Sequence, residues 1–236
     1  MNRLFIPKEQ ISGKQISILG ADVNYLKNVL RLEIGESLEV FDSTQKVYLT
    51  KLSEIRKNEI ILEIIKEEQN EVESKIKVTL AIGLPKGKKM DTIVRQATEL
   101  GVYSIIPVIS ERSIPKIEEK EDKKIAHWQA IAKEAAEQSG RVYIPEIHPL
   151  VKLTELSTKE YDLAIVPWEG EKNKKLDHAI NDAENIIVVV GPEGGFSKHE
   201  IDQLSAKGFS AITLGKRILR VDTAVISTLA LLLLNS

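Results

Sequence analysis

Val188-Val189-Val190-Gly191-Pro192-Glu193-Gly194-Gly195-Phe196-Ser197 is answered some twenty residues later by Leu214-Gly215-Lys216-Arg217-Ile218-Leu219-Arg220. In each, a hydrophobic run halts at glycine and a helix is signalled just beyond. Glycine has no Cβ, so it admits positive φ and lets the backbone approach a ligand closely. Ser197 with Glu200 three residues on forms a capping box, predicting a helix over 198–207. A buried strand, a glycine turn and a capped helix make up the repeating unit of a parallel α/β sheet, and such sheets bind ligands at the carboxyl ends of their strands. Pro167-Trp168-Glu169 occupies a third such end. Two neighbouring loops of like chemistry point to one pocket built largely from main-chain groups, suited to a planar base and an amphiphilic ligand.

Working outward, strands are expected at 76–82, 104–108, 162–166, 186–190 and 211–214. Helices at 88–100, 122–139, 173–183 and 198–207 alternate with them. The apolar run from Ala224 to Leu234 is too short to span a bilayer and reads as a buried terminal helix. Residues 1–70 are of another kind, a compact and mostly β unit with strands at 38–41, 46–49 and 59–65. Val23, Leu26, Val29 and Leu30 recur there at helical spacing. The charged stretch 66–75 reads as a linker, which divides the chain into 1–70 and 71–236.

Of the 236 residues, 42% are hydrophobic and 29% charged, the composition of an ordinary globular protein. The formal net charge of −2 excludes a histone-like polycation but leaves room for a local basic face. The absence of cysteine excludes disulfides, thiolate metal sites and a cysteine nucleophile. Four scattered histidines make a catalytic zinc site an unsuitable reading, so no metal is expected. The N-terminus lacks the pattern of a signal peptide, and a cytoplasmic location is expected.

Gly191–Gly195 is neither a Walker A loop nor G-x-G-x-x-G, and in isolation it reads equally as a tight turn. Asp222 or Thr223 is expected to cap the last helix. Arg220, just before that helix, calls for a carboxylate or phosphate partner. Arg112 and Arg141 stand at element ends, and Lys86, Lys88 and Lys89 cluster after the first strand of the α/β region. Singly these read as solvated surface; together they would draw a polyanion. His127, Trp128 and Ile131 share a helical face and read as packing residues, while Trp168 either packs on the pocket or plugs the sheet edge.

The chain resembles the 16S ribosomal RNA uridine N3-methyltransferases, the RsmE family of the SPOUT superfamily, over nearly its whole length. The likeness is carried by Val29-Leu30-Arg31-Leu32, Lys86-Gly87-Lys88-Lys89-Met90, Glu99-Leu100-Gly101-Val102 and Ser110-Glu111-Arg112-Ser113. It continues through Glu134-Ala135-Ala136-Glu137-Gln138-Ser139-Gly140-Arg141 and the two glycine loops. Each motif is weakly specific, but chance does not place all of them in this order. The resemblance implies a small PUA-like β-barrel that binds RNA, then an α/β methyltransferase domain whose C-terminal chain forms a trefoil knot. It implies a homodimer acting on 16S rRNA, in the assembled small ribosomal subunit. Two positions depart from the family pattern: Asn24-Tyr25 stands where histidines are usual, and Asp222 where glutamate is usual.

The resemblance also implies a methyl donor, S-adenosylmethionine, held by Pro167, Val190, Gly191, Pro192, Gly194, Gly195, Leu214, Gly215, Ile218, Leu219, Arg220 and Thr223. The acceptor would be N3 of a uracil, a direct displacement that requires no cysteine. Arg141, from this chain or from the partner subunit of the implied homodimer, is the expected stabiliser of negative charge on the uracil oxygens, with Glu193 or Asp222 as proton acceptor. Arg3, Arg31, Lys86 and Arg112 are the expected RNA contacts. The competing reading is a noncatalytic RNA-binding or ribosome-assembly factor on the same fold. A nucleotide hydrolase is disfavoured by the missing phosphate loop.

Overall fold

The computed structural model describes residues 2–112, 121–176 and 183–234. They form two compact units, one of Met1–Glu73 with Ala136–Tyr143 and one of Ser74–Ala135 with Ile144–Ser236.

The first unit is built on six strands, β1 (Arg3–Phe5), β2 (Ile11–Ser12), β3 (Gln15–Leu19), β4 (Ser37–Phe41), β5 (Lys46–Ile55) and β6 (Glu59–Gln69). They lie in the order β1-β4-β5-β6-β3-β2, antiparallel except where β1 runs beside β4. Among the described residues the hydrogen-bonded path has β1 and β2 as its ends, so the expected barrel is not closed by backbone pairing. Alternation drives the packing: Ile16 and Ile18, Leu38 and Val40, and Ile60 and Leu62 point into one core with Leu4 and Ile6. Lys66–Gln69, expected in a linker, instead extends β6 opposite Lys46–Leu49. Cross-strand charge pairing such as Lys46 with Glu67, at 2.6 Å, accompanies that polar ribbon, which apolar patterning does not reveal. The short helix α1 (Ala21–Asn24) runs on into a π-helical turn, Tyr25–Val29. The wider turn breaks the 3.6-residue spacing, so Val23 and Leu26 are buried while Val29 is 65% exposed.

Arg141 belongs to this first unit and is buried there. Its guanidinium grips the Glu73 carboxylate, Nη2 to Oε2 at 2.6 Å and Nε to both oxygens at 3.1–3.2 Å. The same carboxylate accepts the Val142 N–H at 3.0 Å. Arg3 is likewise enclosed: it pairs with Glu39, donates to the Arg141 carbonyl at 2.9 Å, and stacks 5.1 Å over the Phe41 ring.

The second unit is a seven-stranded, wholly parallel sheet, as the strand–helix alternation predicts. Its strands are β7 (Lys77–Gly83), β8 (Ser104–Ile109), β9 (Glu146–Ile147), β10 (Val151–Lys152), β11 (Leu163–Pro167), β12 (Asn185–Val190) and β13 (Ser210–Ile212). The main order is β10-β8-β7-β12-β11-β13, with β9 also pairing β8. Parallel strands are covered on both faces. Accordingly Val78, Leu80, Ile82, Ile186, Val188 and Val190 pack in one core, and Ala81, Ile187 and Val189 in the other. Helices α2 (Lys89–Glu99), α3 (Glu121–Ser139) and α5 (Val221–Leu233) contribute to the first core, and α4 (Lys198–Ala206) to the second. The helix expected over 173–183 falls largely on 177–182, outside the described residues. Trp128 packs as expected, its indole donating to Asp91 at 3.1 Å, whereas His127 meets Asp91 from a half-exposed position. No described helix is long and apolar enough to cross a membrane.

Removing one partner of a buried ion pair strands the other charge, which typically costs about 3–5 kcal/mol. Glu73→Ala is expected to lower unfolding stability on that scale in urea titrations, and Glu73→Asp by less.

Candidate functional site

The carboxyl ends of β11, β12 and β13 open onto a single cleft of about 170 Å³ in the second unit. At about 30 Å³ per water in the liquid, that is the volume of roughly six waters. Its wall is formed by Pro167 at the end of β11 with Trp168 and Glu169 beyond it, by Val190 at the end of β12 with Gly191–Phe196 beyond it, and by Thr213–Gly215 and Arg217–Leu219 after β13. Val221 and Ala224 from the first turn of α5 complete it.

The loop after β12 is held from two sides. A Cβ placed on Gly83, at the end of β7, would lie 2.5 Å from Pro192 Cδ and 2.8 Å from its nitrogen, so the proline ring sits directly on that glycine backbone. Pro192 then starts a turn closed by the Gly195 N–H donating to the Pro192 carbonyl at 2.8 Å, with Gly195 at φ 63°. A Cβ on Gly191 would meet the Gly195 backbone at 3.1 Å, closer than an ordinary van der Waals contact. Glu193 turns back to the loop after β7: it accepts the Lys86 N–H at 3.1 and 3.2 Å and pairs with the Lys89 ammonium at 2.9 Å. From the β8 side, Arg112 donates to the Gly194 carbonyl, and Glu111 accepts the Ser197 hydroxyl at 2.8 Å. The buried Glu200 accepts from both the Ser197 N–H at 2.7 Å and the Glu111 N–H at 2.8 Å, so the expected capping box also ties down the β8 loop.

Of the residues expected to hold the donor, Pro167, Val190, Gly191, Pro192, Gly194, Gly195, Leu214, Gly215, Ile218 and Leu219 line this cleft, whereas Arg220 and Thr223 do not. Trp168 lines it too, as one of its two expected readings has it, and Glu169, Phe196, Thr213, Arg217, Val221 and Ala224 line it without having been assigned to the donor. Hydrophobic periodicity places Val221 and Ala224 on one helix face, three residues apart, and that spacing was the available signal.

The charged residues come out differently. Arg141 is gripped by Glu73 with its side chain only 5% exposed, so its guanidinium is not presented to a substrate oxygen as expected. Arg3 is enclosed by Glu39 and Phe41 rather than offered to RNA. Arg112 is exposed but engaged with Gly194 as a support of the loop. Arg31, at φ 52°, and the side chain of Lys86 do face solvent. Glu193 lies on the cleft wall, but its carboxylate is occupied by Lys86 and Lys89. Asp222 is absent from the wall. At 100° per residue it points about 130° away from the midpoint of Val221 and Ala224, which do face the cleft. Nor does either predicted cap operate: α5 starts at Arg220 without a side-chain cap bond. Among the described residues no His/Cys/Asp/Glu group is arranged to hold a metal.

Partial burial pushes the Glu193 carboxyl up and is the largest single influence. The hydrogen bonds from Lys89, from its own N–H and from Lys86 together outweigh it and hold the group below its ordinary value. A carboxyl depressed on folding stabilises the native state above its unfolded pKa, and that contribution is lost as pH falls through the folded value. Glu193→Gln is therefore expected to flatten the loss of stability seen on acidification below the ordinary value of 4.5, measured by urea unfolding across pH. Gly83→Ala forces Pro192 off its seat and is expected to cost about 1–3 kcal/mol, the usual range for overpacking, in the same assay.

Profiles of known families match both units: an RNA methyltransferase PUA domain over residues 18–65 and an RNA methyltransferase domain over residues 72–233. The chain is 38% identical to the ribosomal RNA small subunit methyltransferase E of Aquifex aeolicus, across 95% of this chain and 96% of that protein. It is 32% identical to the Bacillus subtilis protein of the same name, across 98% and 95%. Among solved structures, a putative methyltransferase from Legionella pneumophila in complex with SAM superposes with a TM-score of 0.90 at 32% identity, covering 98% of this chain and 96% of that one. The ribosomal RNA small subunit methyltransferase E of Neisseria gonorrhoeae bound to S-adenosylmethionine does so with a TM-score of 0.87 at 33% identity, covering 98% and 96%. A PUA domain, a parallel α/β domain and a glycine-walled cleft thus occur together with full-length similarity, and the chain belongs to the ribosomal RNA small subunit methyltransferase E family.

Proposed function

We propose that this chain is an S-adenosylmethionine-dependent methyltransferase that modifies N3 of a uridine in 16S rRNA. The observation that carries the reading is the cleft at the ends of β11, β12 and β13, walled by backbone that side chains could not replace. Two relatives of known structure, those from Legionella pneumophila and Neisseria gonorrhoeae, hold that cofactor. Gly191, whose Cβ position is crowded by the Gly195 backbone, open peptide groups and the apolar Ile218, Leu219 and Val221 suit an adenosine and an amino-acid tail together. When bound, the donor supplies an electrophilic methyl group.

The chain supplies the rest. Peptide groups of the Val190–Gly195 and Thr213–Leu219 segments fix the donor's position, and alignment of reacting groups is worth up to about 7–11 kcal/mol. Arg217 lies on the wall, exposed, and with no ion pair among the described residues. It replaces Arg141 as the cation that neutralises charge gathering on the uracil oxygens when the N3 proton leaves. Neither carboxylate serves as base, since Glu193 is engaged with lysine and Asp222 faces away; the imide proton passes to water.

The substrate is 16S rRNA in the small ribosomal subunit, and the location that goes with it is the cytoplasm. The homodimer and the C-terminal knot belong to the same reading. The exposed Leu231 on α5 and Leu234 just beyond its end support the homodimer.

Calorimetric titration with S-adenosylmethionine, followed by mass mapping of nucleosides in treated ribosomal particles, tests the assignment. Absence of cofactor binding with RNA affinity retained would favour a noncatalytic RNA-binding factor. Arg217→Ala is expected to lower turnover about 10²–10³-fold, the scale of losing one charge-stabilising donor. Glu193→Gln and Asp222→Asn should each stay within about tenfold of the parent, against the 10²–10⁴ carried by a true general base.

A further inference from the structure

We propose that the cationic rim formed by residues 172–175 and 216–220 is the surface that grips the rRNA phosphates on either side of the target uridine. This inference rests on the methyltransferase reading and assigns the RNA contacts of that same cleft.

Two loops are stitched together there. Lys175 pairs with Thr213 in an isolated parallel bridge, and the Thr213 N–H donates to the Lys174 carbonyl at 2.8 Å. The segment after β11 therefore lies alongside the one leaving β13, whose Thr213, Leu214 and Gly215 line the cleft. Lys172, Lys174, Lys175, Lys216, Arg217 and Arg220 are all exposed on these two segments. These two stretches contain no acidic residue, and the residues flanking them hold Glu169, Glu171 and Asp222, on a chain whose formal net charge is −2.

Glu171 does not cancel the rim. Its Oε1 is turned onto its own loop, accepting the N–H groups of Lys172, Asn173 and Lys174 at 2.8–3.1 Å. Lys175, Lys216 and Arg220 make no ion pair with any described residue, which is the arrangement of cations that await an anion from outside. At their centre Ile218 is 81% exposed beside the cleft, an apolar side chain placed where an unstacked base would enter. Phosphates flanking a base that must leave its stack satisfy both features at once: charge along the rim, apolar surface at the mouth.

The rim also accounts for the cations that sequence reading assigned to RNA and the fold uses elsewhere. Arg3 and Arg112 hold protein groups. Lys175 and Lys216 were not singled out, because one lysine among 33 Lys and Arg residues carries no signal until the bridge to Thr213 brings its loop to the cleft.

The test uses the full-length Lys175→Gln/Lys216→Gln double variant, neither residue lining the cleft. Unmodified 16S rRNA transcript serves as the probe in a salt titration of binding affinity. Each single-strand phosphate contact releases about 0.7 of a counterion, so two contacts are worth roughly 25-fold in affinity at 0.1 M salt and about 1.4 in the slope of log K against log salt. The expected result is that loss and that flattening, with S-adenosylmethionine affinity unchanged by calorimetry and RNA affinity restored in Lys175→Arg/Lys216→Arg. Parental RNA affinity and slope, with cofactor binding intact, overturns the rim and leaves the methyltransferase assignment standing. Failure of the parent protein to bind the cofactor sinks that assignment instead, and the RNA slopes still judge the rim. Unchanged affinity for the transcript with lost affinity for ribosomal particles would assign the surface to a ribosomal protein and likewise overturn it. Should the double variant itself lose cofactor binding, the single variants decide, each expected to weaken RNA binding about fivefold.

Discussion

The proline ring of Pro192 rests on the bare backbone of Gly83, and the candidate site depends on that contact. β7 and β12 are neighbours over six registered pairs, Asn185 with Lys77 through Val190 with Ile82. Their carboxyl ends therefore arrive together, and whatever follows β12 must pass over the end of β7. A side chain at position 83 would lift the loop, move Gly191 away from Gly195 and open the turn that forms the cleft wall. Parallel register thus fixes the position of the site, and the missing Cβ at position 83 fixes its shape.

Much of the α/β unit is legible in the sequence because its strands are short β-branched runs and its helices carry their own stop and start signals. Gly101 and Gly140, at φ 99° and 80°, end α2 and α3 where the sequence predicts, and Ser197 with Glu200 starts α4. The first unit was harder to read. β1, β2 and β3 have two to five residues each, and the ladder that holds Lys66–Gln69 consists of exposed charged positions. Strand formation there follows from a partner strand already in place, which no window along one segment contains.

Side-chain roles were less legible than backbone shape, for a related reason. A glycine's contribution is local, since it concerns what its own Cβ would strike. An arginine's contribution is set by its partner, and those partners are remote: Glu73 lies 68 positions from Arg141, and Gly194 lies 82 from Arg112. Both arginines stand at element ends, where a guanidinium looks available for a substrate. Both are instead engaged by acceptors of the protein. Glu193 is the same case with the sign reversed, a carboxylate beside the cleft whose lone pairs are taken by Lys86, 107 positions away, and by Lys89, close to Lys86 in the chain.

This division has a consequence for how such a site changes. Much of the cleft wall belongs to loops whose course is set by backbone contacts, and a Cβ added at Gly83 would disturb the fold with the site. On the rim, Arg217 also lines the cleft and Arg220 is the N-cap of α5, but Lys172, Lys174, Lys175 and Lys216 are exposed side chains on segments outside the helices and the seven named strands of the sheet. Exposed substitutions away from caps and cores usually move stability by no more than about 0.5 kcal/mol. Donor binding is therefore coupled to folding, while recognition of the polyanion is nearly free of it. A chain built this way can retune which RNA shape it accepts, residue by residue, without disturbing the pocket beside which that RNA must place its base.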